Sequence, residues 1–133
     1  MPAAIESLHL KPGRALLALM LVIVLLSVLL PNTGIAWMRD HWAWFNWPML
    51  LIERTNSVVN LVHAILFLML GMAVRLAFPR WRAGRVTWAI LLLGISTEVL
   101  QIWAPGRHPR YMDVIVDVVT GVLGWAAMRW MRR

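Results

Sequence analysis

The sequence predicts an all-α membrane protein: a bundle of four transmembrane helices with an aromatic interfacial segment in the first outer loop. Three observations predict it. Hydrophobic residues fill 61% of the 133 positions and charged ones only 14%, with a mean hydropathy of +0.71. A soluble domain of this size has too little interior to hide that much apolar surface. The apolar residues fall into four runs, each near the roughly 20 residues that a helix rising about 1.5 Å per residue needs to cross the hydrocarbon. The basic residues stand at the ends of those runs rather than along one polar face, so the net charge of +7 points to anionic lipid headgroups and not to nucleic acid. The absence of cysteine excludes disulfides, thiolate metal sites and cysteine nucleophiles.

The first run, roughly 15–30, is the shortest and is stopped by Pro31, Asn32 and Gly34. With Gly34 and Ala36 at small-residue positions the same stretch has features of a cleaved signal sequence, but a retained span is the expected reading. The connection after it holds Trp37, Trp42, Trp44, Phe45, Trp47 and Pro48. Tryptophan favours the membrane interface, so a short amphipathic segment on the outer leaflet is expected, with a lid over a site or a platform for a sugar ring as the functional alternative. Runs at roughly 58–78, 86–103 and 112–131 supply the other spans. No internal repeat divides the chain, and 1–133 reads as one domain.

Orientation follows from Lys and Arg in the short connections, because cytoplasmic loops retain positive charge. Lys11 and Arg14 precede the first span, Arg80, Arg82 and Arg85 join the second to the third, and Arg129, Arg132 and Arg133 end the chain. Both termini are therefore expected in the cytoplasm, with the first and third connections outside.

That topology brings polar residues from three spans to one depth. His63 lies just below the outer end of the second span, Glu98 and Gln101 just before the outer end of the third, and Asp113 and Asp117 in the first turns of the fourth, all within roughly 10 Å of the outer boundary by helix rise. Charge at a helix centre in hydrocarbon costs roughly 2.5 to 3.5 kcal/mol per side chain on insertion scales, so such residues need an internal partner or a job. Asp113, Asp117, Thr120 and Gly124 form one stripe by helical spacing, and Asn60, His63, Phe67 and Gly71 form another. Small residues let helix backbones approach in lipid, so these stripes are expected to face each other, with Arg107 and Arg110 folding over the outer mouth.

The order E-x-x-Q, then G-R, then an aspartate followed by small residues, preceded by H-x-x-x-F-x-x-x-G, resembles the VanZ-like family of small bacterial membrane proteins, named for a teicoplanin-resistance protein. The matching positions are His63, Phe67, Gly71, Glu98, Gln101, Gly106, Arg107, Asp113 and, where the family has asparagine, Asp117; the resemblance covers roughly 60–124. Two departures stand out. Val59 and Asn60 occupy positions where many members carry an Asp-Lys pair, and Thr120 stands where a glycine is usual. The resemblance implies a protein of the bacterial inner membrane connected with the cell envelope and, in some members, with glycopeptide resistance. It implies no known reaction.

Three roles fit the polar layer. Glu98, Gln101, Arg107, Arg110, Asp113 and Asp117 could form an internal network that locks helix register. They could instead, with His63, bind the headgroup of a lipid-linked cell-wall precursor or a glycopeptide, Arg107 and Arg110 taking phosphate or carboxylate while the carboxylates accept from sugar or peptide. Or Glu98 and Asp113 could act as a general acid and base. No cofactor and no metal site is expected, although Asp113 and Asp117 with Glu98 or His63 could hold a hard cation such as Mg²⁺ against a diphosphate. Ser96 and Thr97 belong to no nucleophile motif and are expected to bond the backbone. His63 is expected to be a hydrogen-bonded bundle residue with Glu98 or Asp117 as partner.

Overall fold

A computed structural model describes residues 12–30, 32–47, 61–106 and 108–132, all helices and turns with no strand among them. Among the described residues four apolar helices form a bundle. They are α1 (Pro12–Leu29), α3 (Leu61–Ala77), α4 (Ala83–Gln101) and α5 (Tyr111–Met131), with the shorter α2 (Asn32–His41) coming after α1. Helices α1, α4 and α5 are long and apolar enough to cross a membrane, and α3 is a shorter apolar helix of 17 residues. Its predicted beginning, residues 58–60, lies outside the described residues.

The breakers after the first run end α1 as expected, but they do not end helical structure in the connection. Backbone bonding of α1 stops at Leu30, whose N–H reaches the Leu26 carbonyl, and a new helix then starts at Asn32. An N-terminus tolerates such residues because its first N–H groups have no helical partner to lose. Beyond α2, residues 43–47 make one further helical turn. Trp37 stacks on His41 at 4.5 Å and Trp42 on Trp44 at 5.8 Å. The exposed faces of Trp37, Trp42, Trp44 and Trp47 suit the headgroup boundary.

The long helices share a feature that explains their environment. Large apolar side chains point outward, with Leu26, Leu92, Ile102, Ile115 and Leu123 each more than half exposed, while His63, Thr97, Glu98, Gln101, Asp113 and Asp117 are buried. Water would drive the opposite arrangement, so this exterior fits hydrocarbon. Between the helices lies a core of Met20 and Val24 from α1, Phe67, Leu70 and Ala73 from α3, Val86 and Ile90 from α4, and Trp125 from α5.

Helices α3 and α5 pack most extensively, with α1 against α3 and α4 against α5. Glycine sets the α3–α5 approach. A Cβ at Gly71 would lie 2.7 Å from the Gly121 carbonyl carbon and 3.0 Å from the Trp125 backbone nitrogen, and one at Gly124 would run into the Leu68 carbonyl. Backbone thus rests on backbone, which is how lipid-embedded helices gain attraction without a hydrophobic drive. Gly13 does the same for α1, where a Cβ would lie 2.6 Å from the Leu76 carbonyl oxygen.

The two ends of the bundle differ in charge. At one end Arg14, Arg80 and Arg85, with Phe78 and Trp81, line a cavity of about 510 Å³. Arg14 sits 5.8 Å over the Phe78 ring, and Arg85 the same distance over Trp81. Arg75 bends to the Pro79 carbonyl, as expected for a side chain snorkelling at a helix end. The acidic residues gather at the other end.

Candidate functional site: a buried acidic layer

The opening turns of α3 and α5 and the closing turns of α4 meet at the end away from Arg14, Arg80 and Arg85. His63 enters from α3, Glu98 and Gln101 from α4, and Asp113 and Asp117 from α5, each 7% exposed or less. Local sequence fixes these positions. Asp113 and Asp117 are one turn apart and so share a face of α5, and Glu98 and Gln101 share a face of α4. Ala104, also buried, closes the turn after α4, its N–H donating to the Gln101 carbonyl at 3.0 Å.

Of the two partners expected for His63, the structure selects Asp117. Nδ1 donates to Asp117 Oδ1 at 3.1 Å, and the ring lies nearly parallel to Phe67 one turn below. Glu98 is held differently. Its Oε2 accepts the backbone N–H of Arg110 at 2.6 Å, so the loop before α5 is tied to α4 through a main-chain donor. Glu98 and Asp113 close a cluster with His63 in which one ligating atom from each residue lies within 4.8 Å of the others.

The layer does not satisfy itself. Glu98 Oε1, Asp113 Oδ1 and Asp117 Oδ2 are buried without a hydrogen-bond partner among the described residues. An unpartnered buried polar atom costs about 1–3 kcal/mol, and more when charged. Among the described residues no ion pair with an arginine accounts for these oxygens. Arg110 presents its side chain to the exterior and gives the layer only its N–H, and Arg107 lies outside the described residues, as do Val59 and Asn60. Carboxylate oxygens only accept, so the floor of this layer calls for donors or a cation.

Several positions differ from the sequence reading. Thr120 does not continue the acidic stripe; it is half-buried and donates to the Val116 carbonyl at 2.7 Å. Gly121 takes that place, buried against Ile90 and Phe67. Gly94 carries no chemical signal in the sequence, although it stands one turn before Glu98 on the same face; a Cβ there would lie 3.5 Å from Asp117 Oδ2, so Gly94 abuts the second aspartate. Ser96 and Thr97 donate to the Leu92 and Gly94 carbonyls at 2.7 and 2.8 Å, as expected of hydroxyls in apolar helices. His108 is exposed, and His41 Nδ1 donates to the Trp37 carbonyl at 2.8 Å within α2.

Comparison with known proteins places this arrangement. No curated protein and no solved structure matches the chain. The family model described as VanZ/LLP1 matches residues 15–132, a stretch that takes in α3, α4 and α5, all but the opening of α1, and the whole acidic layer. The chain is therefore a member of the VanZ/LLP1 family.

Proposed function

We propose that this VanZ-like protein crosses the bacterial cytoplasmic membrane four times with both termini inside, and that its outward acidic layer binds the headgroup of a lipid-linked cell-envelope intermediate. The arginine-rich end supports the orientation, because basic connections stay in the cytoplasm. The observation that carries the function is the set of buried carboxylate oxygens left without donors beneath an exposed Arg110. A layer serving packing alone would gain by pairing those atoms or by replacing them with apolar groups. A headgroup bearing phosphate and sugar or peptide supplies both halves: anionic oxygens for Arg110 and Arg107, and hydroxyl or amine donors for Glu98, Gln101 and Asp113. Membrane lipids surround the site, and a glycopeptide of the teicoplanin type, which acts on outward-facing precursors, would meet the same ligand.

Native mass spectrometry of the purified protein tests this reading. Undecaprenyl phosphate, its diphosphate and a lipid-linked cell-wall precursor are titrated into wild type, Arg107→Ala and Arg110→Ala. Selective adducts that weaken at least tenfold in either variant are expected. Equal adducts in all three proteins, or none, would refute it.

A second reading is favoured by the closeness of Glu98 and Asp113, which could share proton transfer to a bound lipid phosphate or sugar. Turnover lost in Glu98→Gln with adducts retained would establish it.

A further inference from the structure

The cluster formed by His63, Glu98 and Asp113 has the composition and enclosure of a metal site. Each residue comes from a different helix, each is at least nine-tenths buried, and one ligating atom of each lies within 4.8 Å of the other two. Three atoms so placed share a centre no more than about 2.8 Å from each of them, 4.8 Å divided by the square root of three. Zinc bonds to histidine nitrogen and carboxylate oxygen run about 2.0–2.2 Å. Closing by at most about 0.8 Å per ligand lies within side-chain rotation.

The surroundings point the same way. On two of the three residues, Glu98 Oε1 and Asp113 Oδ1 are buried atoms with no partner among the described residues, and as carboxylate oxygens both accept. Two contacts orient the ligands. Asp117 Oδ1 accepts from His63 Nδ1–H at 3.1 Å, the arrangement by which a carboxylate fixes the ring of a metal-binding histidine, and the Arg110 N–H holds Glu98 Oε2 at 2.6 Å. Three carboxylates in an apolar bundle have no cationic side chain paired to them among the described residues, apart from His63 if it is protonated.

We propose that His63, Glu98 and Asp113 bind a divalent first-row transition-metal ion, with Asp117 as the positioning residue behind His63. One imidazole with two carboxylates suits Zn²⁺ or Mn²⁺ better than Mg²⁺ or Ca²⁺, which prefer oxygen alone. Three protein ligands leave a coordination position open, and an ion there turns an acceptor-only floor into one that attracts phosphate oxygens. The inference rests on the cluster itself and does not require the headgroup reading.

The test uses the full chain in detergent micelles, purified through a histidine-free tag and stripped with a chelator, with no lipid-linked ligand present. Zn²⁺ is titrated in a metal buffer, and bound metal is counted by elemental analysis. One Zn²⁺ per chain is expected. Affinity falls at least tenfold in Asp113→Asn and in Glu98→Gln, falls about 10- to 100-fold in Asp117→Ala through lost orientation of His63, and is unchanged in His108→Gln and His41→Gln. X-ray absorption of the wild-type zinc complex, which needs no variant to fold, shows imidazole and oxygen neighbours near 2.0–2.2 Å. Sub-stoichiometric zinc, or stoichiometric zinc that survives Asp113→Asn and Glu98→Gln, overturns the proposal. Zinc binding without arginine-dependent lipid adducts would sink the headgroup reading alone, and adducts without zinc would sink the cation site alone.

Discussion

Replacing four helical glycines by alanine gives a graded test of how the acidic layer is held together. At Gly71 the added methyl would lie 2.7 Å from the Gly121 carbonyl carbon and 3.0 Å from the Trp125 nitrogen. Non-bonded carbon atoms prefer about 3.5–4.0 Å and the Gly121 carbonyl oxygen is closer still, so α3 and α5 must part by more than about 1 Å, and backbone on both sides cannot rotate away. Overpacking usually costs about 1–3 kcal/mol, and this geometry belongs at or above the top of that range. At Gly121 the methyl would sit 2.7 Å from Ile90 Cδ1, the free end of a side chain, so about 1–2 kcal/mol is expected. At Gly94 the nearest atom is 3.5 Å away and at Gly84 none lies within 4 Å, so there alanine's better helix propensity, about 0.5–1 kcal/mol, is unopposed. Reversible unfolding in mixed detergent, monitored by tryptophan fluorescence, should rank the variants Gly84→Ala and Gly94→Ala at or above wild type, then Gly121→Ala, then Gly71→Ala. A Gly71→Ala protein as stable as Gly84→Ala would refute the backbone-on-backbone account of α3 and α5.

Asp117→Asn should stay within about 1 kcal/mol of wild type, because an amide oxygen can still accept from His63 and a buried charge is removed, whereas Asp117→Ala leaves His63 Nδ1 without its acceptor and should cost about 1–3 kcal/mol; the same unfolding assay compares them. Since the chain has no cysteine, single cysteines report topology directly. A membrane-impermeant maleimide should label His108→Cys in intact cells and Gly84→Cys only after permeabilisation; the reverse pattern would invert the orientation. Arg110→Ala should leave stability within about 0.5 kcal/mol of wild type, because its exposed side chain holds nothing and the N–H on Glu98 survives, so any loss of lipid adducts in this variant reports binding and not unfolding.

Much of the fold was legible because a lipid-embedded chain must satisfy its backbone within each segment, which makes apolar runs read as helices. The runs at 86–103 and 112–131 became Ala83–Gln101 and Tyr111–Met131, shifts of three residues or fewer. The restart at Asn32 was hidden because residues that end a helix are also welcome where one begins. The acidic layer could be read at all because ionisable residues inside apolar runs are rare and expensive, and opposite helix directions bring His63, Glu98 and Asp113 to one depth.

Direction around each helix and the part played by the main chain lay beyond the reach of sequence. From Asp117 the next stripe member could be three residues on or four, and chemistry alone offered Thr120, a polar residue, over Gly121, which has no side chain. The structure takes the four-residue row from Asp113 through Asp117 to Gly121, and the reason is contact: the bare backbone of Gly121 lies close on Ile90, where a side chain would have to push the isoleucine methyls aside. Thr120 then turns its hydroxyl onto the Val116 carbonyl, which removes it from the layer. Arg110 shows the other blind spot. Its charge drew attention to its side chain, yet its N–H holds Glu98, a service that any residue but proline could provide. The arginine's exposed side chain is therefore free of structural duty toward the carboxylates, while the layer's own oxygens want donors or a cation.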